Sequence, residues 1–287
     1  MSFNQVIFAG GGSRCFWQLG FCAATKMIGQ DVLASAGFVG ATSAGCAMAT
    51  AALLGREEEA LAAFMKCADG NEKNFYWQRL NPLDGRSPWP HEGMYRAALE
   101  AFIGQDDLND LKQYDFQCLM AQYPLLLGPR VSALLGFGLY ELEKRVCNPL
   151  HPSWTRAIGF RPLVGCVKQC TQVAGLVDLI LASSSVPPVL PSGRYAGLSV
   201  LDGGLIDNVP LLLAQGRPGC TLVLLSRHYS QPLPATAELQ YVCPSQPVPV
   251  HKFDYANPQR LQQTFDLGFK DALDFMREWE LGDRQLA

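Results

Sequence analysis

Three stretches of the 287-residue sequence carry residue types that could do chemistry: GGGSRC at 10–15, ATSAG at 41–45 and DGG at 202–204. Ser43 sits between small residues where a short apolar run gives way to an Ala-rich one. A serine at such a strand-to-helix turn is held in strained backbone geometry with its hydroxyl projecting from the sheet, and larger side chains two positions either side would strike neighbouring backbone. The free N–H groups of the following helix would stabilise anionic oxygen near that hydroxyl. Asp202, at the end of an apolar stretch and followed by two glycines, could approach another backbone closely. Helix capping is the plainer explanation of an isolated Ser-x-Gly, as a turn is of an isolated Asp-Gly-Gly. Gly10, Gly11 and Gly12 follow the apolar run 6–9 and form a turn whose backbone could face a negative charge. A dinucleotide fingerprint would need glycine where Cys15 stands, and Asp31, about 20 residues on, follows helix rather than ending a strand. Cys46, one helical turn past Ser43, reads as a packing residue, although a helix N-terminus can lower a thiol pKa.

The elements that must position these residues follow from periodicity and punctuation. Residues 5–28 read as strand, glycine turn and helix, and 38–54 repeat that plan with a stop at Gly55. Helices are expected over 57–68, with acidic residues in the first turn, and over 91–102, with an irregular surface segment at 70–90 between them. Residues 116–122 read as a buried strand, 154–167 as resumed strand structure, YAGLSVL (195–201) as a strand leading into Asp202, and TLVLLS (221–226) as another. The Pro- and Gln-rich residues 231–250 read as a loop. Asn257 and Pro258 open a C-terminal amphipathic helix, 257–281, with Leu261, Phe265, Gly268, Phe269, Ala272, Met276 and Trp279 on one face. These units imply an α/β fold with a largely parallel sheet covered by helices. Without internal repeats or a linker, residues 1–287 read as a single domain. Between 123 and 146, Leu and Phe residues precede clustered charges. That pattern suits either an amphipathic core helix or a lid, a membrane-facing insertion whose apolar part enters an interface while Arg130 and 141–145 stay wet.

Taken in order, these segments give the sequence a clear resemblance to the patatin-like phospholipase family. The family's Gly-Gly-Gly-x-Arg/Lys-Gly segment is matched by Gly10, Gly11, Gly12 and Arg14, its Gly-x-Ser-x-Gly elbow by Ser43 and Gly45, and its Asp-Gly-Gly/Ala by Asp202, Gly203 and Gly204. ASSSVPPVLP (182–191) is similar to its Ala-Ser-x-Ala-x-Pro segment, and Asn208 with Pro210 also match. The resemblance implies a patatin-like three-layer α/β/α fold and an acyl hydrolase acting on fatty acyl esters of phospholipids or lysophospholipids. Ser43 would be the nucleophile and Asp202 its base, a Ser-Asp dyad that needs no histidine. The N–H groups of Gly10, Gly11, Gly12 and Ala44 would form the oxyanion hole, and Arg14 would orient that turn or meet a phosphate of the substrate. No cofactor and no metal is implied. Two positions depart from the family pattern: Ala41 replaces the elbow's first glycine and is small enough to leave the elbow feasible, whereas Cys15 replaces the last oxyanion glycine and could narrow the hole. An acyltransferase using the same nucleophile and a catalytically silent lipid-binding or regulatory protein therefore stand as alternatives. So does a Ser-Asp-His triad with His228 or His251, although enzymes of that kind place the elbow after several strands and Ser43 follows only the second.

With 48% hydrophobic and 17% charged residues and a net charge of -3, the chain can bury a sizeable core and lacks the basic surplus of a nucleic-acid binder. No apolar run approaches the roughly 20 residues needed to span a bilayer. Residues 1–5 carry no positive charge ahead of the first apolar run, unlike a secretory signal. The ten cysteines are scattered without a Cys-x-x-Cys pair and the four histidines lie far apart, so neither a disulfide framework nor a metal site is expected. The expected setting is cytoplasmic, with export lacking a cleavable signal and peripheral membrane association as alternatives. The expected partners are the lipid substrate and a transient contact with a membrane surface, a protein activator being an open addition.

Overall fold

Strands at the centre of a parallel sheet are covered on both faces and so read as continuous apolar runs. The first strand, β1 (Gln5–Phe8), is buried at every residue and leads through the glycine turn into helix α1 (Phe16–Met27). The plan repeats with β2 (Phe38–Thr42), also buried throughout, and α2 (Ala44–Leu54), which Gly55 ends in the left-handed conformation. Next come α3 (Glu57–Asp69), with Glu57, Glu58 and Glu59 at the positive end of its dipole, α4 (His91–Phe102), α5 (Asp107–Leu111) and β3 (Asp115–Gln122). The second half holds α6 (Gly128–Val146), α7 (Trp154–Ala157), β4 (Arg161–Cys166), α8 (Val173–Ser183), β5 (Gly193–Tyr195) and β6 (Leu198–Asp202). It closes with α9 (Gly204–Asp207), β7 (Thr221–Leu224), β8 (Leu239–Val242) and α10 (Pro258–Leu286). The computed structural model describes residues 2–81, 85–124, 127–147, 149–229, 233–234 and 236–286, with side chains to residue 279.

The strands form one sheet in the order β5-β6-β3-β2-β1-β7-β8, and β4 also pairs with β3. From β3 to β8 along this order every pairing is parallel, so the expected largely parallel sheet between helices is what the chain adopts. Alternate β1 side chains point to opposite faces. Val6 and Phe8 enter a core shared with α1, α2, α3, α4, α8 and α10, whereas Ile7 enters a thinner one shared with α6, α9 and the turn at 211–214.

β3 sets the geometry of the molecule's functional edge. Its residues Gln117–Gln122 pair with β4 along one side. The other side is divided: Asp115–Leu119 pair in parallel with β2, and Met120–Gln122 pair antiparallel with β6. Because β2 runs with β3 and β6 runs against it, the C-terminal ends of β2 and β6 meet at adjacent residues, Thr42 opposite Leu119 and Asp202 opposite Met120.

Three sequence expectations are corrected. Residues 154–167 begin with the short helix α7 before β4 forms. YAGLSVL is not one strand but the tip of the β5–β6 hairpin, with Ala196 (φ 49°) and Gly197 (φ 77°) in the positive-φ pair that a twist-matched two-residue turn requires. Residues 231–250 contain β8, a four-residue edge strand parallel to β7 that is too short to stand out among prolines and glutamines; residues 231, 232 and 235 lie outside the described residues.

The anticipated face of α10 packs onto α1: Leu261, Phe265, Ala272 and Met276 are buried, and Asp271 accepts a 2.7 Å hydrogen bond from Trp17 Nε1. The helix extends beyond the expected end, to Leu286. At the crossing the backbones touch, since a Cβ on Gly20 would drive into the Phe265 carbonyl and one on Gly268 into the Trp17 carbonyl. Backbone atoms cannot rotate away, so Gly268→Ala should cost at least about 2 kcal/mol in urea unfolding. Gly138→Ala, on the exposed side of α6 with no atom within 4 Å of the added Cβ, should instead stabilise by up to about 1 kcal/mol.

Candidate active site

The meeting of β2 and β6 places Ser43 and Asp202 side by side. Ser43 has φ 55° and ψ -139°, a region that non-glycine residues occupy only when their surroundings force it. The small neighbours make this turn possible: a Cβ on Gly45 would lie 2.7 Å from the Phe8 carbonyl oxygen, and one on Gly10 would lie 3.1 Å from Ser43 Cβ. On the facing strand end, a Cβ on Gly203 would collide with the Leu119 carbonyl and Thr42 Oγ1. With those contacts free of side chains, Ser43 Oγ donates a 2.6 Å hydrogen bond to Asp202 Oδ2, in a fully buried setting. The other carboxylate oxygen, Oδ1, accepts a 2.7 Å bond from the Gly204 N–H.

Residues 182–185 splint the two turns together. Ser183 Oγ donates to the Leu119 carbonyl (2.6 Å) and accepts from the Ser43 N–H (2.9 Å), while the Ser183 carbonyl accepts from the Gly203 N–H (3.2 Å). The Ser185 carbonyl accepts from the Asp202 N–H (2.8 Å). The ASSS stretch was legible as a motif, but this hydroxyl's role depends on a meeting of distant strands that no local pattern reveals.

The glycine turn is held from both sides, which corrects one expectation. Gly10 was expected to supply an N–H to an oxyanion; its N–H instead donates to the Asn208 carbonyl (2.8 Å). Its own carbonyl accepts from Asn208 Nδ2 (2.8 Å) and Ser226 Oγ (2.5 Å). Gly10 is therefore an anchor. Among the described residues no hydrogen bond engages the N–H of Gly11 or Gly12, nor that of Ala44 in the open first turn of α2. Gly12 takes φ 59°, and a Cβ there would strike the Lys252 carbonyl, which accepts from the Ser13 N–H (3.0 Å). Asn208 lay in a recognised motif, whereas nothing in the sequence marked Ser226 or Lys252.

Arg14 is half-buried and its Nε donates to the Gly11 carbonyl (3.3 Å), so it props the turn. Cys15 is wholly buried: its thiol donates to the Ala9 carbonyl (3.4 Å), and burial pushes its pKa up to about 12. It remains an uncharged packing group turned into the core. Cys46 is likewise buried, with Sγ 3.4 Å from Ser183 Oγ. The alternative residues fall elsewhere. His228 bonds the Pro244 carbonyl, His251 accepts from the Phe253 N–H, and neither bonds Ser43 or Asp202. Asp31 closes a local turn on the Leu33 N–H.

Burial is the main influence on Asp202 and raises its pKa above the ordinary aspartate range, against the opposing pull of Lys252, Ser43 and the Gly204 N–H. The carboxylate is thus more basic than a solvated one. Beside Gly12 and Ala44 lies a narrow slot walled by Phe16, Met48, Phe64, Met94 and Tyr95, with about 20 Å³ of free space, room for about one water. The arrangement can place an acyl carbon at Ser43, its oxygen at unengaged N–H groups and a proton on Asp202.

A family model described as patatin-like phospholipase matches residues 6–214. No curated protein sequence matches the chain. Among solved structures, the crystal structure of VipD from Legionella pneumophila aligns over 96% of this chain and 67% of that one, at 11% identity and a TM-score of 0.47.

The raised pKa of Asp202 carries a stability consequence. A carboxyl whose folded pKa exceeds its unfolded one favours the fold most below the unfolded value, and that contribution is lost as pH rises through the folded pKa. Asparagine keeps the shape, can accept from Gly204, and never ionises. Asp202→Asn should therefore melt above the parent near neutrality, with the gap shrinking as pH falls; a gap that is constant with pH in differential scanning would contradict a buried ionising carboxyl.

Proposed function

The chain belongs to the patatin-like phospholipase family, and on that premise we propose that it hydrolyses fatty acyl esters of phospholipids or lysophospholipids through a Ser43–Asp202 dyad. The observation that carries this is the 2.6 Å Ser43–Asp202 hydrogen bond beside unengaged N–H donors. Ser43 Oγ attacks the ester carbonyl as its proton passes to Asp202 Oδ2, and the developing oxyanion is held by the N–H groups of Gly11, Gly12 and Ala44. Each such donor is worth about 3 kcal/mol of transition-state stabilisation. The intermediate collapses to an acyl-serine, and the departing alkoxide takes the proton from Asp202. Water then attacks the acyl-serine with Asp202 again as base, releasing fatty acid and restoring Ser43. Burial, by raising the basicity of Asp202, brings it closer to the task of accepting a serine proton. The silent alternative drew on Cys15; a neutral thiol packed inward on Ala9 leaves the Gly11 and Gly12 N–H groups available, which favours turnover.

Ser43 is only 5% exposed, so substrate must enter past a cover, and we assign that role to α6. The expected amphipathic helix is present, but its orientation is the reverse of a core helix. It buries Ser132, Ala133, Gly136 and Glu143 and exposes Val131, Leu134, Leu135, Leu142 and Val146. Gly136 lets it lie close on Phe160 and on Leu205 of α9, directly after Asp202. Residues 125 and 126 of the expected lid lie outside the described residues. Its exposed stripe, flanked by Arg130, Lys144 and Arg145, suits an anionic lipid surface, and each leucine inserted would contribute roughly 1.5–3 kcal/mol. No helix among the described residues is long and apolar enough to cross a membrane, so contact would be peripheral.

Fatty-acid release from mixed phospholipid vesicles should fall by about three orders of magnitude or more in Ser43→Ala and in Asp202→Asn at matched folding. A fluorophosphonate probe should label Ser43 of the parent; release that survives Ser43→Ala would end the proposal. The double variant Leu134→Ser/Leu135→Ser should lose at least about tenfold more activity on vesicles than on a monomeric short-chain ester, and an equal loss on both would remove α6 from membrane docking.

A further inference from the structure

Around the glycine turn the fold collects positive charge that its own carboxylates do not neutralise. Lys252 is tied to the turn directly: its carbonyl accepts from the Ser13 N–H, and Gly12 packs against its Cγ, 3.0 Å from where a Cβ would stand. Arg14 leaves the same turn and props Gly11. Arg227 follows Ser226, whose hydroxyl bonds the Gly10 carbonyl, and its guanidinium lies 4.3 Å above the Tyr229 ring. Lys144, on the last turn of α6, lies 6.0 Å over Tyr140. All four side chains are half-buried, and among the described residues none is in an ion pair.

The four charges feel one another. After burial, Arg227, Arg14 and Lys252 each push Lys144 below its ordinary pKa, opposed by the exposed Glu141. Arg227 similarly lowers Arg14, and Arg14 lowers Lys252, which Asp202 pulls the other way. Like charges crowded into a half-buried site where no carboxylate forms an ion pair with them oppose folding, and a fold retains such a conflict where a ligand resolves it. Arg14 and Lys252 both leave backbone bonded to the turn that carries the oxyanion donors, and Lys252 Nζ lies 5.1 Å from the Phe253 ring centroid, so an anion held by this group would lie near those donors. In a glycerophospholipid the phosphate and the nearest ester sit on adjoining glycerol carbons, so an ester at Ser43 delivers its phosphate to this neighbourhood.

We propose that Arg14, Lys144, Arg227 and Lys252 form a phosphate-binding vestibule that selects phospholipid esters over neutral acylglycerols. This rests on the hydrolase reading for its substrate, and beyond Arg14, which the motif marked, it extends that reading to Lys144, Arg227 and Lys252, which no motif marked. Arginine supplies paired donors to phosphate oxygens and lysine a point charge, and together they match a diester monoanion. Lys144 adds a link to α6, since a helix seated on a lipid surface would bring its last turn to the head group being bound.

Arg227 and Lys144 are the positions to change, because Arg14 and Lys252 also hold the turn. The probes are a non-hydrolysable short-chain diether phosphatidylglycerol, the matching diether glycerol without phosphate, and inorganic phosphate, each titrated calorimetrically below micelle formation. Arg227→Gln/Lys144→Gln should weaken the diether phospholipid at least about tenfold more than the neutral diether, while Lys168→Gln, an exposed cation elsewhere, changes neither. Equal weakening of both diethers, or none, would overturn the proposal. So would inorganic phosphate binding as tightly as the phospholipid, which would mark a site for free phosphate. Binding that follows this pattern in a protein that releases no fatty acid would uphold the vestibule and refute the hydrolase reading. In an active enzyme the same variant should lower kcat/KM for phospholipid relative to diacylglycerol by a like factor.

Discussion

The carbonyl of Leu119 is the point on which the functional end of the molecule turns. It accepts from Ser183 Oγ and from Thr42 Oγ1, and the Gly203 backbone passes against it. A buried carbonyl must find donors, and here they come from the hydroxyls of the last residue of β2 and the last residue of α8. That hub fixes where β2 stops and where β6 arrives, and the Ser43–Asp202 separation follows from it. Strain at Ser43 is affordable because both flanks are pinned: its N–H by Ser183, the arriving strand by Ser185. Any side chain at 203 would push the strand ends apart before the hydroxyl and carboxylate could meet.

The same crowding creates the site's electrostatic character. Asp202 loses water on entering the strand junction and is compensated by only Ser43 and the Gly204 N–H at close range. A third hydrogen bond would lower its basicity and suit stability better, but would leave a poorer base. The cations around the glycine turn are the complementary case, positive groups kept near the surface and short of partners. Negative charge within the core and positive charge at its rim together set up a field along the path a phosphate ester would follow. Both features oppose folding, and the extensive apolar core on the α1–α10 side supplies the stability that tolerates them.

The local units were legible because steric rules act within a few residues. A serine with small neighbours at 41 and 45, glycines at 10–12 and a carboxylate before Gly203 specify tight turns, and the apolar runs at 5–8 and 38–42 could only be buried strands. What escaped the sequence is what distant segments do to those turns. Gly10 looked like an equal of Gly11 and Gly12, and only the arrival of Asn208 and Ser226 takes its N–H and carbonyl out of service. Ser226 and Arg227 come near because β7 lies beside β1, a neighbourhood set by strand order rather than by spacing. Edge strand β8 and the hairpin turn at Ala196 and Gly197 were too short for periodicity to register.

Helix α6 shows why a stripe alone is ambiguous. A period of 3.6 places Val131, Leu134, Leu135 and Leu142 on one side whichever way the helix faces, and the usual preference turns that side inward. The deciding residues were the small ones opposite: Ala133 and Gly136 allow an approach to Phe160 and Leu205 that bulkier groups would prevent. A groove of about 880 Å³ runs between α6 and residues 187–192, far roomier than the slot behind the oxyanion donors. Opening toward that groove would separate few apolar contacts, since the helix already presents its leucines to solvent. On the other face the slot beside Gly12 and Ala44 is closed by Phe16, Met48, Phe64, Met94 and Tyr95 from α1, α2, α3 and α4 and holds about one water. On the proposed reading, entry to Ser43 past α6 parts few apolar contacts, and a lipid surface that covers the exposed leucines would favour it further.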